Sequence, residues 1–388
     1  MRSGSRGHNL AALRRLNTSV VLRALHRRSP QTLSQLAAAT GLSRPTVELL
    51  VEELTAQGWT AEAAETTAEA SARAPGRPAK HFRFRGEAGQ ALGIDIGLHK
   101  IVLLLSDLSG TVLATEHDSI DPELSGAARL SLLRTRTERF LEANSVRHEA
   151  LWATCVGVPG MVDSAGRITS VVVPEWTGID LARRLGEDLP GVILVENDVN
   201  LAVLAEHWRG AAVLADDVVC VLTGRRVSSS VMLDGRLHRG HRGGAGEMGM
   251  LPLLGLGGAQ DALTWPGERH DGESEVDALA RAAADRNPAA LDAIRAFAGR
   301  LTPGVAALVL AVDPELLVLT GGAAPLGEHL VPMLAAQLRE VTLHVPRIAV
   351  STLGEQGVAL GAVRKALDRA DAELLDGTTR VPQPSNTP

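Results

Sequence analysis

One pattern occurs twice in this chain and limits what it can fold into more than any other feature. Ala91-Leu-Gly-Ile-Asp-Ile-Gly97 reads as a strand ending at a glycine, residues 101–105 as a second strand, Asp107-Leu-Ser-Gly110 as a turn and residues 111–116 as a third strand. A similar unit follows at 218–222, 231–233, the turn Asp234-Gly235 and 236–237. Short apolar runs bounded by Gly and Asp are what half-buried or buried strands look like. Two copies of strand, polar junction, strand, Gly turn, strand indicate an internal duplication. Alternating helix and strand patterns follow, among them Leu316-Leu-Val-Leu-Thr-Gly-Gly322. Residues 88–375 therefore read as α/β lobes with mixed sheets.

The first 87 residues are of another kind. Residues 1–90 hold 13 Arg and Lys against 7 Glu, a net of +6 in a chain whose formal charge is -6, so the remainder carries -12. A basic head on an acidic body is expected where one end meets phosphate and the other does not. Leu13, Leu16, Val20, Val21 and Leu25 fall near helical spacing and predict a first helix ending at Ser29-Pro30. Thr32 and Gln35 fit a capping box at the start of a short second helix. Gly41 supplies the left-handed backbone of a tight turn. Ser43 caps a third helix, with Pro45 in its first turn and Val47, Leu50, Val51 and Leu54 on one apolar face. Helix, short helix, Gly turn, helix is the helix-turn-helix arrangement, whose last helix enters the major groove N-terminus first. Ser43, Arg44, Thr46 and Glu48 then reach base edges or phosphates. A three-helix bundle with a solvated polar face would share the pattern. After Gly58-Trp59, the segment 60–85 reads as wing and linker. It contains Pro-Gly-Arg-Pro at 75–78, Lys80, and Phe82 and Phe84 alternating with basic residues. Arg77 and Lys80 are the expected DNA-binding residues of this segment, with Arg77 placed in a narrow minor groove, whose negative potential favours Arg.

Cys155 and Cys220, the only cysteines, each lie in an apolar run and read as buried small hydrophobes. No stretch approaches 18 uninterrupted apolar residues and the N-terminus lacks an apolar signal core, so no membrane association and a cytoplasmic location are expected. Residues 376–388, rich in Pro, Thr and Ser, are expected to be disordered.

The body resembles the ROK family of sugar kinases and transcriptional repressors. The resemblance rests on Gly93-Ile-Asp-Ile-Gly97, Gly157-Val-Pro-Gly160, Glu196-Asn-Asp-Val-Asn200, the glycine-rich run from Gly240 to Gly249, Leu319-Thr-Gly-Gly322 and the segment from Gly354 to Gly361. The head matches ROK repressors in the Gly-Leu-Ser-Arg-Pro-Thr-Val run at 41–47 and the Gly-Arg-Pro at 76–78. The resemblance implies a winged helix-turn-helix followed by a two-lobed, actin-like ATPase (sugar-kinase-like) domain.

Kinases of the family hold phosphate on Gly-rich loops, where backbone N–H groups approach the anion closely. Here Asp95 and Gly97 stand in the first loop, but Leu98 and His99 replace its next Gly and its Thr. The second loop runs Thr223-Gly-Arg-Arg-Val-Ser-Ser-Ser230, with one glycine. Arg225 and Arg226 read as solvated surface. By the resemblance Asn197 and Asp198 match the pair that positions a sugar hydroxyl and deprotonates it, and Glu247 matches a further sugar contact. Without ATP, Asp198 still accepts a hydrogen bond from a sugar; alternatively these groups are structural links between lobes. Met250 replaces the family's zinc-ligating His, and 251–260 contain no cysteine, so no metal and no other cofactor are expected. Val172 replaces an Asn of many relatives before Pro174-Glu175-Trp176. The expectation is a homo-oligomeric regulator, a repressor, that binds operator DNA, responds to a sugar or related metabolite and has no catalytic residues. The alternatives are a bifunctional sugar kinase and a regulator whose body binds a protein.

Overall fold

The computed structural model describes residues 4–63, 79–224 and 226–375. The Pro-Gly-Arg-Pro segment with Arg77, Arg225 and the tail 376–388 lie outside the described residues.

The head follows the predicted order. Helix α1 (Gly4–Arg27) precedes strand β1 (Gln31–Thr32), α2 (Leu33–Thr40), α3 (Arg44–Ala56), β2 (Thr60–Ala63) and β3 (His81–Phe84). The capping box forms as expected. The Thr32 hydroxyl accepts from the Gln35 N–H, and the Thr32 N–H donates to the Gln35 side chain at 2.8 Å. Gly41 closes α2 at φ +71°, a left-handed conformation that costs a residue with a Cβ. Val47, Leu50, Val51 and Leu54 are all buried, as their spacing requires. Leu13 and Leu16 of α1 are not: both are more than half exposed. Strands β2 and β3 pair antiparallel as the wing. Strand β1, too short to read from sequence, joins β3 to complete a three-stranded sheet.

The first lobe contains β4 (Gln90–Ile96), β5 (Lys100–Asp107), β6 (Val112–Ser119), α4 (Gly126–Ala143), β7 (Leu151–Val158), the hairpin β8 (Met161–Val162) and β9 (Ile168–Thr169), α5 (Leu181–Leu185), β10 (Val192–Asn197) and α6 (Asp198–Arg209). The second contains β11 (Val218–Thr223), β12 (Val227–Leu233), β13 (Arg236–Leu237), α7 (Glu275–Ala284), α8 (Pro288–Val312), β14 (Leu316–Gly321), α9 (Gly327–Val341) and β15 (Arg347–Val350). The duplication is explicit in the sheets, ordered β10-β7-β4-β5-β6 and β13-β12-β11-β14-β15. In each, a three-stranded antiparallel meander is followed by two parallel strands. The second strand of the second meander is longer than its sequence pattern suggested, because polar Ser228, Ser229 and Ser230 also belong to it.

The last helix, α10 (Gly357–Leu375), returns to the first lobe and packs on α6, β4 and β7. It approaches α6 so closely that a Cβ at Gly361 would overlap the Leu201 carbonyl. One apolar core runs from Leu25, Leu36 and Trp59 of the head into Ala91, Cys155, Leu201, Val363 and Leu367 of the body. Trp59 meets Trp152 edge to face at 5.7 Å across this boundary. Among the described helices, α8 alone is long and apolar enough to cross a membrane. Its Ile294, Phe297, Leu301 and Val305 are fully buried in the second lobe's core, which accounts for its composition.

Candidate functional site

Two sites emerge from the candidate residues. At the head, Ser43 is the N-cap of α3: its hydroxyl accepts from the Thr46 N–H and lies 2.8 Å from the Thr46 hydroxyl. Ser43 and Thr46 therefore fix the start of the helix, and the Ser43 oxygen is engaged there. Arg44 and Glu48 stand exposed on the same opening turns, next to Leu49, which is half exposed. Sequence periodicity did not single out Leu49, yet an exposed leucine on such a face is suited to a thymine methyl group. Lys80 is on the wing, where it pairs with Glu62 across the two strands at 2.8 Å. Arg14 of α1 pairs with Glu53 of α3 and holds the two helices together.

The second site lies between the lobes, where β10 ends and α6 begins. Asn197 caps α6, its side-chain oxygen accepting from the N–H groups of Val199 and Asn200 at 3.0 and 3.1 Å. Its amide nitrogen donates to the Gly160 carbonyl at 2.9 Å and lies 3.5 Å from a Glu247 oxygen, on the loop that follows β13. Asn197 thus ties the start of α6 to the Gly160 turn of the same lobe, with Glu247 as its neighbour across the cleft. Asp198, the first residue of α6, accepts from the Val199 N–H at 2.8 Å. Burial, then the negative charge of Asp95, with a smaller contribution from Glu247, push its pKa up to about 7, against the pull of the helix N–H. Burial also raises Asp95, opposed by Lys100 at 3.4 Å, and raises Glu247, opposed by Arg226. The structure thus brings Asn197, Asp198 and Glu247 together and adds Asp95. Among the described residues, no group of three His, Cys, Asp or Glu side chains is placed to hold a metal ion.

Sequence reasoning missed two buried charges beside this cleft. Arg129 of α4 is fully buried, and its guanidinium donates to the carbonyls of Gly97 and Leu98 at 2.8 and 3.0 Å and approaches those of Asp121 and Pro122 at 3.4 Å. It pins the β4–β5 turn, the counterpart of the first phosphate loop. Glu196, also fully buried, lies between Arg239 at 3.3 Å and Lys365 at 2.9 Å. The Arg-Val side of the second loop forms a hairpin in which the Gly224 N–H donates to the Arg226 carbonyl, and Arg226 is exposed. Trp176 is buried and its indole N–H donates to the Gly126 carbonyl, so it builds the lobe. A 410 Å³ hollow at Trp265, Arg281 and Asn287 is lined by none of the candidate residues.

A winged helix-turn-helix head is thus seated on a duplicated, two-lobed α/β body. Residues 91–260 match the ROK family and residues 17–63 the IclR helix-turn-helix domain. The chain is 25% identical over 244 residues to the xylose repressor of Bacillus subtilis (strain 168), covering 62% of this chain and 61% of that protein. It is 26% identical over 253 residues to the DNA-binding transcriptional dual regulator NagC of Escherichia coli (strain K12), covering 64% of this chain and 60% of NagC. The fold is shared, at a TM-score of 0.71 and 22% identity, with a ROK family transcriptional regulator described as a homolog of E. coli MLC protein. That likeness covers 94% of this chain and 97% of the other.

Proposed function

We propose that this chain is a DNA-binding transcriptional repressor, active in the cytoplasm as a dimer or larger homo-oligomer, whose body senses a sugar or a related metabolite and carries out no phosphoryl transfer. The observation that carries this reading is the exposed opening turn of α3, with Arg44 and Glu48 presented by a Ser43 cap, on a head that precedes a ROK body. Such a turn fits the major groove, and two-fold operators call for at least two heads. Arg77 belongs to this reading as a minor-groove contact and Lys80 as a wing contact. Asn197, Asp198 and Glu247 are the proposed effector contacts. Occupancy of the cleft shifts the population between head arrangements. Two features argue against catalysis: Leu98 stands in the first phosphate loop, and that loop's carbonyls are tied to Arg129.

The test is binding of the purified chain to the DNA upstream of its own gene, at fixed salt, with and without a panel of sugars and sugar phosphates. Specific binding released by one of them supports the whole reading. Specific binding indifferent to all keeps the repressor and removes the sugar. Absence of specific binding sinks it. ADP release with any sugar on the panel, abolished by Asp198→Asn, would overturn the non-enzymatic part.

A further inference from the structure

Helix α10 begins at the cleft and ends at the head. Just before it, the Glu355 carbonyl accepts from the Lys100 ammonium at 3.0 Å, and the same ammonium faces Asp95. In its middle, Lys365 pairs with the buried Glu196. In its last turns, Asp371 lies 3.5 Å from His26 of α1 and accepts from Arg364 at 3.1 Å. His26 also contacts the Leu108 carbonyl at 3.1 Å and stacks edge-on against Phe84 of the wing. The six residues from Lys365 to Asp371 rise about 9 Å along a helix.

Glu196 is the junction of this arrangement. One carboxylate oxygen accepts from the Asn197 N–H and the Asn200 amide, each at 3.1 Å, and so sets the residues that open the cleft. The other is shared between Lys365 of α10 and Arg239 of the second lobe, yet it receives no well-directed hydrogen bond. Arg239 itself donates back to the first lobe, to the Val162 carbonyl at 3.0 Å. A change in lobe closure moves Arg239 relative to Glu196, and one oxygen cannot serve both cations equally in two geometries. Because Gly361 and Gly93 seat α10 without free space against Leu201 and β4, it responds as a rigid body rather than by bending.

We infer that Glu196 is a positioning residue that couples the cleft to the head, with Lys365 and α10 carrying a change in lobe closure to the His26–Asp371 joint. This deepens, and rests on, the reading of the body as the sensor of the head. Coupling free energy is reciprocal, so a disturbance at either end must register at the other.

The experiment is amide hydrogen exchange on the full-length chain, without DNA or sugar. Lys365→Met is expected to raise exchange at residues 20–28 of α1 by about threefold or more while the second-lobe strands β11 and β14 keep wild-type rates. His26→Ala is expected to change exchange at residues 196–200 in turn. Arg134→Ala, which breaks a pair with Asp188 remote from this path, serves as the control and leaves α1 unchanged. Wild-type exchange in α1 of folded Lys365→Met would overturn the inference, as would wild-type exchange at 196–200 in His26→Ala. Should Lys365→Met fail to fold, the His26→Ala arm decides alone. Because neither DNA nor sugar enters, failure here leaves the repressor reading intact, and failure to bind an operator leaves this coupling intact.

Discussion

Asp198 carries the most informative ionisable group. Its pKa of about 7 in the folded chain lies above the ordinary carboxylate value, so between the two the folded state binds the extra proton. Stability from this group is greatest at low pH and falls as pH rises to about 7; above that the ionised, partly buried carboxylate is a constant cost. Asp198→Asn should therefore stabilise the protein at pH 8 by about 1–3 kcal/mol, and by less at pH 5. Thermal melts at the two pH values check this, and an equal gain at both would show that the carboxylate is ionised throughout. Arg129 makes the opposite case, a buried charge whose two terminal nitrogens both donate to backbone carbonyls, while its Nε has no partner. Arg129→Met leaves the Gly97 and Leu98 carbonyls without donors and should cost about 2–4 kcal/mol in urea unfolding. An effect under about 0.5 kcal/mol would mean that water replaces the guanidinium.

At the level of elements, α3 separates folding from the DNA recognition proposed for it. Ser43→Ala removes the cap oxygen and should lower stability by about 0.5–2 kcal/mol. Arg44→Ala touches no described partner and should leave the melting temperature alone while reducing the salt slope of DNA binding by about one per head. If Arg44→Ala changed the preference among operator variants and left the slope unchanged, Arg44 would be a base reader and not a phosphate contact. The elements of the head were legible because their determinants are local. The Thr32–Gln35 box spans one turn, and Val47, Leu50, Val51 and Leu54 report a period that burial enforces. The twofold strand unit was legible for the same reason. Strand β1 was not, since two residues have no period and Gln31 and Thr32 are extended only because β3 pairs with them. Arg129 and Glu196 were hidden by distance: the carbonyls of Gly97 and Leu98 are 32 and 31 residues away from Arg129, and Lys365 reaches Glu196 from the last helix. Of the cleft residues, motif matching found Asn197, Asp198 and Glu247, but it could not show that Asn197 has both amide atoms engaged.

For the molecule as a whole, the continuous core from Leu25 and Trp59 to Val363 and Leu367 matters more than either site. A head joined by a free linker would bind DNA independently of the cleft. A head sharing a core with α10 cannot change its seat without disturbing the lobe beneath it. Under the proposed function, the sugar that releases the operator must itself be released by the operator to the same degree, since linkage between two equilibria is symmetric. For a coupling of about 1–3 kcal/mol this is a factor of about 5–150 in both directions. Titration calorimetry of the sugar against the protein, alone and saturated with operator, gives one factor. Polarisation of a labelled operator with and without sugar gives the other. Equal factors would mean that the sugar acts through the conformation of the chain. Loss of operator affinity with no change in sugar affinity would break the linkage and show that the sugar was acting elsewhere, on the DNA or on the assembly of subunits. A symmetric factor that falls towards one in Lys365→Met, with both separate affinities kept within about threefold, would then place the coupling in α10.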